Sequence, residues 1–166
     1  MRLNHNGLKV VSLFAALFLV AACSSKPATM DSGAGTGASS VPAASGPVPG
    51  SVEDFRENVG DRVFFDTDKS DIRADAQATL QKQAAWLAQY ASKTLTVEGH
   101  ADERGTREYN IALGERRANA VKKFLVSLGV DASRLTTISY GKEKPVALGS
   151  DEASWAQNRR GVSVLN

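Results

Sequence analysis

Cysteine and histidine are almost absent from this 166-residue chain. Cys23 is the only cysteine, and the histidines are His5 and His100 alone. A single cysteine cannot form a disulfide within the chain, so an internal disulfide framework is excluded. Two histidines, one of them near the N-terminus, provide no histidine-rich zinc motif. The sequence therefore argues against a disulfide scaffold and against a zinc enzyme.

An excess of charge of one sign is also lacking. The chain has 20 Lys and Arg residues against 18 Asp and Glu residues, a formal net charge of +2. Arg2 and Lys9 belong to an N-terminal segment that is expected to be removed, and without them 18 basic residues balance 18 acidic residues. Nucleic-acid binding would need a clustered basic face, and the sequence provides no support for such a partner.

The N-terminal segment is typical of an export signal. Residues 10–22 are apolar except for Ser12, and this stretch is shorter than the roughly 20 residues that span a bilayer. Together with the basic residues before it, the stretch predicts a secretory signal peptide over residues 1–22. It ends in VAAC at residues 20–23, which resembles a bacterial lipobox with Cys23 as the acylated residue. A chance cysteine after an ordinary cleaved signal is the alternative.

Acylation of Cys23 would anchor the chain to a membrane. Each buried CH₂ of an acyl chain contributes about 0.8 kcal/mol, and more than one chain makes attachment durable. Ser24 and Ser25 follow the cysteine and resemble the sorting pattern of outer-membrane lipoproteins. The expected location is therefore the outer membrane, with the chain lipid-anchored and facing the periplasm.

Residues 23–50 are expected to form a flexible tether after the acylated cysteine. They are rich in Ser, Gly, Ala, Thr and Pro, and their larger apolar residues are only Met30, Val41 and Val48. Such a segment cannot bury enough apolar area to offset the entropy of ordering it. A flexible coil of roughly 27 residues reaches on the order of 30 Å.

Residues 51–166 are expected to form one α/β domain. The patterns predict strands at residues 63–65, 94–98, 135–140 and 161–165, the last with Val162 and Val164 on one face. Helical spacing of apolar residues predicts one helix over residues 72–91 and a second from an N-cap at Thr106 to Gly129. These elements predict a sandwich of β-α-β-α-β type, in which helices cover one side of a small mixed sheet of about four strands.

Residues 97–121 contain the most informative pattern in the chain. A predicted strand ends in the sequence GHAD at residues 99–102, and the following helix carries Arg116 and Arg117. An acid at a strand exit and an arginine on the next helix suit a ligand that has both an ammonium and a carboxylate. The two arginines point about 100° apart on a helix of 3.6 residues per turn, so only one of them can face such a site easily.

Four separated motifs resemble the OmpA-like, peptidoglycan-binding domain, and the resemblance covers essentially all of residues 51–166. In chain order they are FDTDK with DIR at residues 65–73, EGHADERG at residues 98–105, YN with LGERRA at residues 109–118, and NRR at residues 158–160. Within this family, the lipobox and the tether make the chain similar to the lipid-anchored members. Because the four motifs occur in the same order as in the family, together they are more specific than any single motif.

The resemblance implies a non-catalytic binding site for the meso-diaminopimelate of peptidoglycan stem peptides. Asp102 is implied to accept from the ammonium, and Arg117 to grip the carboxylate by two contacts. Asn110 and the loop formed by Phe65, Asp66 and Thr67 match family positions near the ligand. The implied role is a clamp between outer membrane and cell wall, engaged alternately by TolB of the Tol system. No cofactor and no metal is implied.

Each of these residues also has a structural alternative. Asp102 could cap its loop or pair with Arg104 or Arg107, Arg117 could be a solvated helix residue as is expected of Arg116, and Asn110 could be mainly structural. The segment NRR at residues 158–160 is expected to support the sheet and the pocket.

A different class of function would be a peptidoglycan-processing enzyme that uses His100, Asp102 and Glu103. The chain has no Gly-x-Ser-x-Gly elbow and no Cys/His pair in the folded region, which argues against it.

Overall fold

The computed structural model describes residues 46–166. The predicted signal peptide, Cys23 and all of the predicted tether except residues 46–50 lie outside the described residues. None of the helices within residues 46–166 is both long enough and apolar enough to cross a membrane.

The described chain contains four α-helices and four strands. Helix α1 (Val52–Asp54) runs directly into a π-helical turn (Phe55–Val59), and a 3₁₀ turn (Ala132–Arg134) precedes the third strand. The other helices are α2 (Ala74–Gln89), α3 (Arg107–Ser127) and α4 (Glu152–Asn158). The strands are β1 (Arg62–Phe64), β2 (Leu95–His100), β3 (Leu135–Gly141) and β4 (Arg160–Leu165).

The four strands form one mixed sheet in the order β1-β4-β2-β3. Strands β2 and β3 are parallel, whereas β4 is antiparallel to both of its neighbours. This confirms the predicted mixed α/β sheet of about four strands. Strand β4 lies between β1 and β2, so the two strands of the predicted first β-α-β unit do not pair directly.

The core lies between one face of the sheet and the two long helices. Leu95 and Val97 of β2 are fully buried and share a cluster with Leu87 of α2 and with Val121 and Leu125 of α3. Thr96 and Glu98 of β2 point to the other, less buried face. The long helices therefore cover one side of the sheet, as the sequence predicted.

Strand β4 departs from the simple apolar pattern. Val162 and Val164 do share a face, but it is the less buried one, and the core side of the strand carries Gly161 and Ser163. A Cβ on Gly161 would already meet Val121 at 3.3 Å, so little room is left on that side. Ser163 is satisfied there because its hydroxyl donates to Oε1 of Gln83 at 2.8 Å.

Helix α3 begins and ends as predicted. The hydroxyl of Thr106 accepts from the backbone N–H of Tyr109 at 3.2 Å, which is an N-cap. After Leu128 the chain turns at Gly129, whose φ of 95° lies in the left-handed region that glycine tolerates.

Helix α3 lies unusually close to strand β2. A Cβ on Gly99 would stand only 1.8 Å from the carbonyl oxygen of Gly114, and a Cβ on Gly114 would stand 2.8 Å from the carbonyl oxygen of Gly99. Two backbones can approach to this distance only where neither residue has a side chain. This contact brings the inner face of α3 against the end of β2, where the predicted site residues lie.

Candidate functional site

A cavity of about 340 Å³ lies beside the end of strand β2. The loop between β2 and α3 forms its floor, the first turns of α3 form one wall, and the loop after β1 forms the other. Its lining residues are Thr67, Asp68, Asp102, Arg104, Gly105, Tyr109, Asn110 and Leu113. The cavity therefore brings together Asp102, Asn110 and Thr67 from three segments that the sequence analysis selected.

Asp102 is a nearly buried acid at this cavity, with 7% of its surface exposed. It accepts hydrogen bonds from Arg104 through the backbone N–H at 3.1 Å, Nε at 3.2 Å and Nη2 at 2.5 Å. Nη1 of Arg159 lies 3.5 Å from Oδ2 of Asp102, the same oxygen that Nη2 of Arg104 contacts. Burial opposes ionisation of Asp102, but the hydrogen bonds and positive charge of Arg104 outweigh it, so the pKa lies below the usual range. The carboxylate is ionised at neutral pH.

Arg117 is fully buried beneath the same region, so the alternative that it is a solvated helix residue is wrong. Its guanidinium donates to three backbone carbonyls: Nε to Lys69 at 2.8 Å, Nη1 to His100 at 2.8 Å and Nη2 to Asp66 at 3.0 Å. The guanidinium carbon lies 5.2 Å from the ring centre of Phe65. Arg117 thus joins α3 to the end of β2 and to the loop after β1.

The charge on Arg117 is unusual for so buried a group. None of the ion pairs within residues 46–166 includes Arg117. Burial is the main reason that its pKa falls to about 10, while the nearby Asp102 carboxylate opposes the decrease. The guanidinium therefore stays protonated at neutral pH and places a positive charge behind the cavity. Arg116, its neighbour, is exposed as expected.

Asn110 holds the loop that carries Asp102. Only 2% of its surface is exposed, and its Nδ2 donates to the carbonyls of Arg104 at 2.7 Å and Thr106 at 3.1 Å. These contacts support the structural reading of Asn110, although the residue also lines the cavity.

The loop after β1 contributes mainly backbone and polar atoms. The side chain of Phe65 is buried in the core and does not line the cavity, whereas Asp66 and Thr67 are exposed. Asp68 adopts a left-handed φ of 58°, and its carboxylate accepts a hydrogen bond from the hydroxyl of Tyr109 on α3. The loop is therefore tied to α3 through both Tyr109 and Arg117.

The NRR segment at residues 158–160 supports the site as expected. Arg159 donates from Nε to the carbonyl of Phe65 at 3.1 Å, and its other nitrogens contact Asp102 and Glu152. The side-chain oxygen of Asn158 accepts from the backbone N–H of Val146 at 2.8 Å. The segment thus links helix α4, both site loops and the strand that follows.

His100 faces away from the cavity. It is 1% exposed, and its Nε2 lies 3.4 Å from Oε2 of Glu98. Burial, with a smaller effect of the nearby charges of Arg160 and Lys144, lowers the pKa of His100 to about 4.

The three residues of the enzyme alternative have separate partners. Glu103 is exposed and accepts from Nε1 of Trp155 at 3.0 Å, while His100 contacts Glu98 and Asp102 contacts Arg104. No hydrogen bond within residues 46–166 joins any two of His100, Asp102 and Glu103. In the same part of the chain, no cluster of three or more His, Cys, Asp or Glu residues could hold a metal ion.

Several site residues were not selected from the sequence. Tyr109 fits the apolar pattern of α3, yet it is 44% exposed and lines the cavity. The sequence indicates Arg104 only as a partner of Asp102, and no sequence pattern indicates its stacking on Trp155, at 4.2 Å from the ring centre. The sequence signals that could have indicated these two residues are a tyrosine at the start of a helix and an arginine two residues after a site acid.

Comparisons with known proteins identify the family of this chain. Residues 64–159 match the OmpA family. A protein of Agrobacterium fabrum named "Peptidoglycan-associated lipoprotein" is 68% identical over 117 residues, which are 70% of this chain and 66% of that protein. A protein of the same name from Rhizobium meliloti is 58% identical over 146 residues, 88% of this chain and 81% of that protein.

Solved structures show the same fold. The crystal structure of the peptidoglycan-associated lipoprotein from Burkholderia pseudomallei is 48% identical, with a TM-score of 0.63 over 64% of this chain and 90% of that one. The OmpA-like domain of FopA1 from Francisella tularensis is 27% identical, with a TM-score of 0.54 over 63% of this chain and 70% of that one. The chain belongs to the OmpA family, in its group of peptidoglycan-associated lipoproteins.

Proposed function

We propose that this protein is an outer-membrane lipoprotein that binds peptidoglycan non-covalently through the diaminopimelate of the stem peptide. The observation that carries the proposal is an ionised acid, Asp102, in the lining of a cavity, together with a buried cation, Arg117. The cation is bonded to the backbone at the end of β2 and in the loop after β1. The side-chain end of meso-diaminopimelate is a zwitterion, so it needs one anion and one cation at a matched separation. The names of the relatives support the same ligand.

Asp102 is the proposed acceptor for the ligand's ammonium. Its low pKa keeps the carboxylate charged, and its position on the cavity wall makes it reachable in spite of its burial. Nη1 of Arg159 lies 3.5 Å from Oδ2, so Asp102 keeps a second arginine beside it when a ligand contacts the carboxylate. Charge-assisted hydrogen bonds of this kind are stronger than neutral ones.

Arg117 and the loop after β1 are proposed to receive the ligand's carboxylate. An arginine has five N–H donors, and three of those of Arg117 already serve backbone carbonyls. The remaining N–H groups can bond a carboxylate only if the loop at residues 65–69 moves, because Arg117 is fully buried. Backbone amides of Asp66 and Thr67 would complete the anion site. The buried side chain of Phe65 would act indirectly, through its contact with Arg117.

The role of the protein would be a mechanical link between the outer membrane and the cell wall. Acylation at Cys23 would fix one end, and the predicted tether over residues 23–50 would let the domain search for stem peptides. Tethering raises the effective concentration of a site, typically to about the millimolar range for short linkers, so each contact can be weak. Alternate engagement by TolB, as part of the Tol system, is proposed on the family resemblance.

A pull-down with purified sacculi tests the binding function. The full chain in detergent should sediment reversibly with the sacculi and release no muropeptides. Asp102→Asn, which keeps the shape but removes the charge, should abolish sedimentation, whereas Asp75→Asn on the exposed start of α2 should not. Release of muropeptides would favour the enzyme alternative, and full binding by Asp102→Asn would overturn the site assignment.

The proposed partner protein has a separate test. Adding purified TolB to the sedimented complex should release the full chain from the sacculi if the two partners use overlapping surfaces. If TolB sediments together with the sacculi and the amount of bound chain does not decrease, the chain does not bind TolB and peptidoglycan alternately.

A further inference from the structure

A cation of the chain itself contacts the acid that is proposed to bind the ligand's ammonium. Arg104 contacts both oxygens of the Asp102 carboxylate, with Nε 3.2 Å from Oδ1 and Nη2 2.5 Å from Oδ2. A ligand ammonium and this guanidinium would compete for the same lone pairs, because both are donors without an acceptor.

The two arginines beside Asp102 differ in how firmly they are held. The side chain of Arg159 is 7% exposed and also bonds the carbonyl of Phe65 within the protein. The side chain of Arg104 is 38% exposed, and its other contacts are the ring of Trp155 at 4.2 Å and the hydroxyl of Thr67 at 3.4 Å. Arg159 is thus a fixed partner of Asp102, while Arg104 can leave for solvent.

We propose that Arg104 is an affinity- and specificity-determining residue that acts as an internal stand-in for the ligand's ammonium. Binding of the zwitterion is then an exchange of cations on Asp102, in which Arg104 swings out and the ligand takes its place. The inference rests on the proposed function, since it assumes that Asp102 receives the ammonium.

The exchange explains how the site can reject simple cations. A ligand that offers only an ammonium gains one contact with Asp102 and loses the contact of Arg104, so it binds with little net gain. A zwitterion also gains the anion site at Arg117, which a simple cation cannot use. The apparent affinity is reduced by the fraction of molecules in which Asp102 is free. Removal of Arg104 should therefore strengthen binding and weaken selectivity.

Calorimetric titration of the full chain in detergent with meso-diaminopimelate tests this exchange. Arg104→Ala should bind about fivefold more tightly than the wild type, as expected if Asp102 is free in only a minority of wild-type molecules. Arg107→Ala is the matched control, because it removes the same charge from the same loop region but its partner is Glu143, at 3.3 Å. It should bind no more tightly than the wild type. Equal or weaker binding by Arg104→Ala would overturn the exchange.

A second readout does not depend on the ligand. Nuclear magnetic resonance titration of the Asp102 carboxyl should show a higher pKa in Arg104→Ala than in the wild type, and no increase in Arg107→Ala. An unchanged pKa of Asp102 in Arg104→Ala would contradict the proposal that Arg104 takes the place of the ligand's ammonium. If the wild type itself fails to bind both meso-diaminopimelate and sacculi, the proposed function fails and this inference with it. If the wild type binds but Arg104→Ala gains nothing, only this inference fails.

Discussion

Arg117 donates a hydrogen bond from Nη1 to the backbone carbonyl of His100 at 2.8 Å, and so joins helix α3 to the last residue of strand β2. The same guanidinium also bonds the carbonyls of Asp66 and Lys69 in the loop after β1. A residue that the sequence marks as a ligand contact therefore also organises both loops of the site. Mutations at Arg117 should affect stability as well as binding.

Replacing Arg117 with Met should destabilise the protein by about 3 kcal/mol or more, since three buried carbonyls would lose their donor. Replacing Arg117 with Lys should also destabilise the protein, because Lys lacks the planar guanidinium that reaches three acceptors. Chemical denaturation of the domain would measure the change. Arg116→Met, one residue away and exposed, should change stability by less than about 0.5 kcal/mol. Similar stability of both variants would contradict the organising role of Arg117.

Gly99→Ala should be among the most damaging single changes in the chain. The new Cβ would stand 1.8 Å from the carbonyl oxygen of Gly114, and the Gly114 atoms that it meets are backbone atoms that cannot rotate away. Helix α3 would have to shift from β2, at a cost of about 3 kcal/mol or more. Thermal unfolding would detect the loss. Gly46→Ala, which meets nothing within 4 Å, is the control and should leave the melting temperature unchanged.

Stability should decrease on acidification between pH 6.5 and pH 4 because of His100. Its pKa is about 4 in the folded protein, below the ordinary value of 6.5, so the unfolded chain binds the proton first. The contribution is fully present above pH 6.5 and is lost as the pH falls through the folded pKa. Each pKa unit corresponds to about 1.4 kcal/mol, so the difference between 6.5 and about 4 limits the loss to roughly 3.5 kcal/mol.

Denaturation curves at several pH values would measure this slope, and His100→Gln should flatten it. Asp102 cannot account for the same window, because its pKa is lowered from an ordinary value of 3.8 and affects stability only in more acidic solution. An unchanged slope in His100→Gln would refute the assignment.

Asn110→Ala should loosen the loop that carries Asp102. Two hydrogen bonds to backbone carbonyls would be lost, at a cost of about 1 to 3 kcal/mol. Hydrogen exchange should then increase in the loop at residues 101–106 more than in β2. Asn119→Ala, on the partly exposed side of α3, should not change exchange in that loop. Uniform exchange rates in both variants would show that Asn110 does not hold the loop.

The positions of helices and strands were largely predictable. Helix α3 has a capping threonine, a repeating apolar stripe and a glycine after its end, and all three signals are local. The order of the strands was harder to predict from the sequence, because β4 inserts between β1 and β2 through contacts that are distant in sequence. Local periodicity also could not show which face of β4 is buried, since the side chains of Val121, Phe65 and Val63 leave little room for a side chain at Gly161.

The site was predictable in part. The structure places Asp102 and Arg117 near each other, which the adjacency of the strand exit and the next helix in sequence predicts. Their role as ligand contacts stays a prediction. The hydrogen-bond partners of Asp102 and Arg117 could not be predicted from the sequence. Arg159 reaches Asp102 from a segment 57 positions away, and the loop after β1 reaches Arg117 from about as far.

The sequence alone determined the four strands, the two long helices and the family, since these depend on local spacing and on motifs in a defined order. It did not predict the short helices α1 and α4. Only the tertiary structure decided how the charges are shared. Burial removed water from Arg117 and gave it backbone carbonyls as partners, while partial exposure left Arg104 on Asp102 as a replaceable cation. Electrostatic partners depend on distances between segments, and chain folding sets those distances.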